Sequence, residues 1–190
     1  MHEIRKFFSK GDFEALLDYA HEQTYGEQVN PVDNVPYPDI SLNVPGWAVA
    51  HIEDRLSELL GRSLRANHAF FRLTTESSGP APHQAHTDSS MGRFTFILYM
   101  QDGPGGTALV THKKLNLSQD PWTNGELEVW KRDTNDYDAW RITRLFEMEA
   151  NKGVCYPSKL MHRAEPVGGF GEGIEDGRLV LTAFLDVHHG

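Results

Sequence analysis

The sequence predicts a mainly β fold with N-terminal helices, an α+β chain whose strands pack as a two-sheet jelly roll. Three observations carry this. Two stretches before residue 62 repeat apolar side chains at helical spacing. From Leu64 onward the pattern changes to short runs rich in β-branched and aromatic residues, broken by Gly, Asn and Asp. No helical stretch alternates with those runs, which argues against a parallel doubly wound sheet and favours two facing, mostly antiparallel sheets. Residues 1–190 are expected to form one domain: 1–62 a helical support, 63–190 the jelly-roll core, with an insert at about 112–149.

The first helix fits residues 12–24, where Phe13, Leu16, Leu17 and Ala20 share a face, Ser9 or Asp12 can cap the start, and Gly26 can stop it. Residues 27–45 carry Pro31, Pro36, Pro38 and Pro45 and are expected to be ordered but irregular, neither helix nor strand. A second helix fits 47–60, with Ile52, Leu56, Leu59 and Leu60 inward and Gly61 at its end. His51-Ile52-Glu53 has ligand-like residue types, but on this helix the two polar side chains diverge. Residues 67–75 read as a strand and Ser77-Ser78-Gly79-Pro80 as a turn. The runs 94–100, 107–111, 126–131, 140–148, 153–156 and 178–186 read as further strands, with Asn124-Gly125 as a hairpin signal.

A formal net charge of −9 argues against a non-specific nucleic-acid binder, because phosphate contacts need clustered Lys and Arg. The single cysteine, Cys155, has no internal partner for a disulfide and sits in an apolar run, where a small core residue is the ordinary reading. The first residues lack an apolar signal core and no run approaches membrane-spanning length, so a cytoplasmic location is expected. Without an export signal the sequon at Asn116 carries no weight.

Chemistry enters at Pro82-His83-Gln84-Ala85-His86-Thr87-Asp88. Side chains two apart lie on one face of an extended chain, so His86 and Asp88 can hold one divalent metal between them. Two histidines and one carboxylate on one face of an ion, with open positions opposite, suit non-haem Fe(II). A lone His-x-Asp also arises by chance among ten histidines. His83, three before His86, would face away on a strand. His162 follows the apolar strand ending at Pro157 and a short turn, from which it can reach back over the sheet. Arg178 opens the last strand, sharing a face with Val180, Thr182 and Phe184. A guanidinium there either sits at a solvated strand start or needs an anionic partner, which a ligand carboxylate supplies through two parallel hydrogen bonds.

In order, the chain presents His86-x-Asp88, a strand ending Tyr99-Met100-Gln101, Gly105-Gly106-Thr107, a strand ending Tyr156-Pro157, His162 and a strand-borne Arg178. Across residues 64–186 this resembles the 2-oxoglutarate and Fe(II)-dependent oxygenases, most nearly the prolyl-4-hydroxylase-like branch. The resemblance implies a double-stranded β-helix, a cupin-like jelly roll, with His86, Asp88 and His162 as iron ligands. It implies that Arg178 binds the distal carboxylate of 2-oxoglutarate. Tyr99 would be a second donor to that carboxylate, or else a core tyrosine bonded to backbone; Thr182 could face the same pocket. The cofactors implied are Fe(II), 2-oxoglutarate as co-substrate and O2. The implied reaction hydroxylates a C–H bond of a peptidyl or amino-acid-like substrate, with succinate and carbon dioxide as co-products.

Two departures stand out. Arg178 follows His162 by sixteen positions, farther than relatives often place it, through the Gly-rich segment 167–177, expected as a flexible loop near the site mouth. Its Gly-x-Gly-x-Gly neither follows a clear strand nor opens a helix, which argues against a phosphate cradle. The segment 112–149 carries Trp122, Trp130, Tyr137 and Trp140, either packing for an extra hairpin or a wall of the substrate site. The rival readings are a cupin-like metalloenzyme that does not use 2-oxoglutarate and a non-catalytic binding protein; an inward Arg178 speaks against the first. A nucleic-acid demethylase is disfavoured because the last strand lacks the Arg-x-Asn-x-x-x-Arg of those relatives. Partners are expected to be a small molecule or peptide, with no membrane; oligomeric state is not readable.

Overall fold

A computed structural model describes residues 1–30, 34–78, 81–120 and 123–188. Pro31, the Gly79-Pro80 half of the expected turn, Trp122 and the terminal His189 lie outside the described residues. In chain order the elements are β1 (His2–Arg5), α1 (Lys10–His21), β2 (Gly26–Val29), β3 (Pro36–Ser41), α2 (Gly46–Leu60) and β4 (Leu64–Thr74). There follow β5 (Phe94–Tyr99), β6 (Gly106–His112), α3 (Asn124–Asp133), β7 (Trp140–Glu147), β8 (Lys152–Pro157), β9 (His162–Glu165) and β10 (Arg178–Val187).

Both N-terminal helices form where their apolar spacing requires. The Ser9 hydroxyl accepts from the Asp12 backbone N–H and starts α1, which ends at Glu22 rather than Gly26. Gly61 closes α2 in the left-handed region at φ 62°, a conformation that costs glycine nothing. Leu16 and Ala20 of α1 with Ala48, Ile52 and Leu56 of α2 are buried against Phe71, Phe96, Leu98, Leu179, Leu181 and Ala183 of the sheet. His51 stacks on Phe8 with ring centroids 4.4 Å apart, and Glu53 accepts from the Ala66 backbone N–H, so neither is a ligand.

Among the described residues the strands form a seven-stranded sheet, β1-β8-β5-β10-β4-β3-β2, and a three-stranded sheet, β7-β6-β9. The pairings within them are antiparallel. One face of the large sheet carries α1 and α2. The other, with Ile97, Tyr99, Val154, Tyr156 and Val180, packs on Leu109 and Phe146 of the small sheet. The two sheets thus form a jelly roll around an interior that α1 and α2 do not enter.

Two expectations fail. Residues 26–29 and 36–41 form β2 and β3, the latter despite Pro36 and Pro38. β2 is the edge strand, and β3 registers with β4 only at Ile40 and Ser41, so the missing N–H groups of its prolines interrupt no inner ladder. The run 126–131, expected as a strand after an Asn124-Gly125 hairpin, lies in helix α3 instead. Thr123 and Glu126 form a capping box, each side chain bonded to the other's backbone N–H, and this local start outweighs the alternation of Leu127 and Val129. Thr123→Ala is expected to lower the stability of α3 by about 1 kcal/mol, read as a shift in the denaturation midpoint. An unchanged midpoint would show that packing alone holds this helix.

Candidate metal centre

His86 and His162 come together through backbone pairing. They form an isolated antiparallel bridge beside the small sheet, His86 N–H to His162 O at 3.0 Å and His162 N–H to His86 O at 2.9 Å. Directly paired residues project to the same face, so the imidazoles lie side by side with centroids 4.4 Å apart. Each Nδ1 lies 3.0 Å from a carbonyl oxygen, Gln84 O for His86 and Leu160 O for His162. A carbonyl only accepts, so both Nδ1 atoms carry the proton and both Nε2 lone pairs face the same point.

Asp88, two residues on and in no strand, is anchored beside the large sheet. Its backbone N–H donates to Ser158 O at 2.8 Å, beyond the end of β8, and the Thr95 hydroxyl of β5 lies 3.2 Å from Oδ2. Asp88 Oδ1 is 3.4 Å from His86 Nε2, and Oδ2 is 3.1 Å from His162 Nε2. The three ligand atoms lie within 4.8 Å of one another, a set that can hold one metal ion. Burial pushes the Asp88 carboxyl up, but the charge and hydrogen bond of His162, joined by those of His86, hold it well below the usual carboxylate range. The carboxylate is therefore ionised and available as a ligand.

The loop before His86 is fixed by the insert. Ala85 O accepts from Trp130 Nε1 and from the Thr134 hydroxyl, both at 2.7 Å, and Ala85 N–H donates to Thr134 O at 3.1 Å. The segment 112–149 thus holds the loop that leads into His86, and Trp130 with Asp120 also lines the cavity. His83 is not turned away as a strand would require. Residues 81–85 are not extended, and His83 lines the same cavity with its ring 5.3 Å from Trp130.

The His/Asp/His set opens onto a cavity of about 730 Å³ between the sheets. Arg178, Val180, Thr182 and Phe184 of β10 all line it, as their alternation requires. Arg178 is buried, not a solvated strand start, and no carboxylate of the described residues pairs with it. One terminal nitrogen lies 3.4 Å from both Gly106 O and the Thr107 hydroxyl, and Nε has no partner. Burial lowers its pKa, an effect that Tyr99 and Tyr156 oppose.

Tyr99 lies close to Arg178 but does not line the cavity. Its hydroxyl is bonded to Thr107 at 3.0 Å and donates to Phe146 O at 2.9 Å, the bonding of a core tyrosine. Tyr156, which sequence reasoning passed over, does not line the cavity either, but its hydroxyl is buried without a partner, and Asp88 and Arg178 both act on it electrostatically. Its position two strands from Arg178 on the inner face could have been found only with the β5 and β8 register in hand.

The Gly-rich segment before Arg178 is not at the mouth, since none of its residues lines the cavity. It folds against β4, where Gly171 O accepts from Glu76 N–H, and Asp176 accepts from the backbone of Glu172 and Gly173. Its extra length therefore leaves Arg178 in register opposite Thr74. Among the described residues no helix is long and apolar enough to cross a membrane.

No protein-family model matches the sequence, and no curated protein sequence matches it. Solved structures with a similar fold do exist. The non-heme alpha ketoglutarate dependent epimerase SnoN from nogalamycin biosynthesis superposes with TM-score 0.57 at 13% identity, over 96% of this chain and 74% of that one. HygX from Streptomyces hygroscopicus, solved with nickel, 2-oxoglutarate and hygromycin B bound, gives TM-score 0.59 at 14% identity, over 96% and 81%. A Pseudomonas putida prolyl-4-hydroxylase gives TM-score 0.52 at 17% identity, over 100% and 92%. The architecture shared with these proteins is the double-stranded β-helix.

Proposed function

We propose that the chain is a single-domain Fe(II)- and 2-oxoglutarate-dependent dioxygenase that hydroxylates a C–H bond of an amino-acid-like or peptidyl substrate, releasing succinate and carbon dioxide. The observation that carries this reading is the pairing of two features in one cavity. A His/Asp/His set stands at one place on its wall, and a buried guanidinium with an unpartnered Nε stands at another. Such a guanidinium is costly without an anion and suits a carboxylate held by two parallel hydrogen bonds. The similar fold of HygX, which binds nickel and 2-oxoglutarate, supports the same assignment.

In this reading His86, Asp88 and His162 hold iron, an imidazole and carboxylate donor set that leaves the cavity side of the ion open. Bound there, iron with 2-oxoglutarate and O2 supplies the oxidising chemistry, which no side chain of the wall provides. The chain's own work is positional. The Gln84 and Leu160 carbonyls keep both Nε2 lone pairs on the metal side. Arg178 fixes the far carboxylate of the co-substrate. Ile97, Val180 and Phe184 exclude water between the two ends. A cupin-like enzyme without 2-oxoglutarate would leave the buried Arg178 with nothing to bind, which places that reading second.

Anaerobic protein given Fe(II) and 2-oxoglutarate is expected to develop the weak visible absorption of a metal–keto-acid chelate. Iron-loaded protein without that band would overturn the proposal. Iron affinity should also depend on pH with a defined sign. Burial acts to lower the His86 imidazole, but the hydrogen bond and charge of Asp88 outweigh it and hold it above the ordinary 6.5. A metal needs the neutral ring, so protons compete for it. Affinity is then full above the raised value and falls as pH drops through it. Titration with Fe(II) between about pH 8 and pH 5 measures this, and an affinity flat over that range would count against His86 as a ligand.

A further inference from the structure

Arg178 is not the only cation on the cavity wall. Arg72 of β4 sits beside Val180 of β10 and Ile40 of β3, on the inner face of the sheet. Its side chain lines the cavity, its Nε is buried without a partner, and no hydrogen bond or ion pair to it exists among the described residues. The guanidinium carbon stands 5.6 Å from the centroid of the Tyr37 ring. Asp39 and Asp88 act on Arg72 only through space, while the like charge of Arg178 works against it. The Asp39 carboxylate is taken by the Ser78 hydroxyl at 2.6 Å. Asp120, the other carboxylate on the cavity wall, accepts from the hydroxyls of Thr87 and Ser89.

Two like charges on one cavity wall raise each other's cost, and one anion on Arg178 relieves only one of them. On the reading given above, a divalent ion, the Asp88 carboxylate, Arg178 and a dicarboxylate co-substrate cancel in charge without Arg72. Asp120 is held by Thr87 and Ser89, so Arg72 is left with no anion in contact. Its neighbours on the wall, Gln28, Asn30, Tyr37 and Ile40, belong to β2, β3 and the turn between them, on the far side of β4 from Arg178's strand. The unsatisfied charge therefore faces the part of the cavity that the co-substrate does not need.

We propose that Arg72 is the receptor for a carboxylate of the substrate, so that the molecule oxidised is a small free acid, such as an amino or hydroxy acid, and not a neutral residue inside a peptide. Tyr37 holds the guanidinium plane from one side, and the polar groups of Gln28 and Asn30 border the same pocket. This rests on the iron and 2-oxoglutarate reading, and its test separates the two.

The probes are the free L-amino acids and small aliphatic hydroxy acids, each beside its primary amide. They are added anaerobically to protein loaded with Fe(II) and 2-oxoglutarate, and binding is read both as a shift of the chelate band and as a rise in melting temperature. At least one acid is expected to bind, with its amide weaker by about ten- to a hundredfold. Arg72→Gln should bring the acid down to the level of the amide while 2-oxoglutarate affinity changes by less than about threefold. Arg72→Lys, which keeps the charge and loses the planar fork, should fall between the two. Amides binding as well as acids, or no acid in the panel binding, would overturn the proposal. Loss of 2-oxoglutarate affinity in Arg72→Gln would overturn it too, by assigning Arg72 to the co-substrate. A missing chelate band in wild type instead removes the underlying reading.

Discussion

His162→Ala is expected to lower Fe(II) affinity by at least about 100-fold and to abolish turnover of 2-oxoglutarate at micromolar iron. Outer-shell partners of metal ligands alone carry about 10- to 100-fold in affinity, and removal of a ligand itself exceeds that. The substitution should spare the fold. The bridge to His86 is made by backbone atoms, which alanine keeps, and the ring's Nδ1 bonds only to Leu160 O two residues away. Iron titration, with circular dichroism as the folding control, measures both parts. Wild-type iron affinity in a folded His162→Ala protein would remove His162 from the metal centre.

Arg178→Gln is expected to weaken 2-oxoglutarate binding by about 3 kcal/mol, on the order of a hundredfold, the usual cost of truncating one partner of a buried charge pair. Iron binding should survive, since none of His86, Asp88 and His162 bonds to Arg178. The two core tyrosines nearby should differ in stability. Tyr156→Phe removes a buried hydroxyl without a partner and off the cavity wall, so neither stability nor 2-oxoglutarate affinity should fall. Tyr99→Phe breaks bonds to Thr107 and Phe146 O and should destabilise the fold by about 1 kcal/mol with little change in co-substrate affinity. A loss of co-substrate affinity in Tyr99→Phe would restore Tyr99 as the second donor.

Where local pattern and tertiary pairing agreed, the chain was legible. Apolar spacing located both N-terminal helices, and alternation along 178–186 put Arg178, Val180, Thr182 and Phe184 on the cavity side. The errors came where a short segment had two readings. Residues 126–131 alternate like a strand, yet the capping box at Thr123 and Glu126 starts a helix that clamps Ala85 and so steadies His86. The prolines of 27–45 spoke against strands, but Pro36 and Pro38 lie in the part of β3 that does not register with β4. His83 was set aside by a period-2 argument that fails because its segment is not extended.

The sequence by itself determined the class of fold and the residue types of the centre, because hydrophobic periodicity and metal-donor chemistry are local properties of the chain. Tertiary structure alone decided which groups meet and which stay unsatisfied. A one-residue bridge aligns His86 with His162, and Ser158 anchors Asp88 beside the large sheet. The β4–β10–β5–β8 register then leaves Arg72, Arg178 and Tyr156 facing inward with polar atoms lacking a protein partner. Satisfaction of a polar group depends on neighbours distant in sequence, and no spacing rule along one strand can supply them.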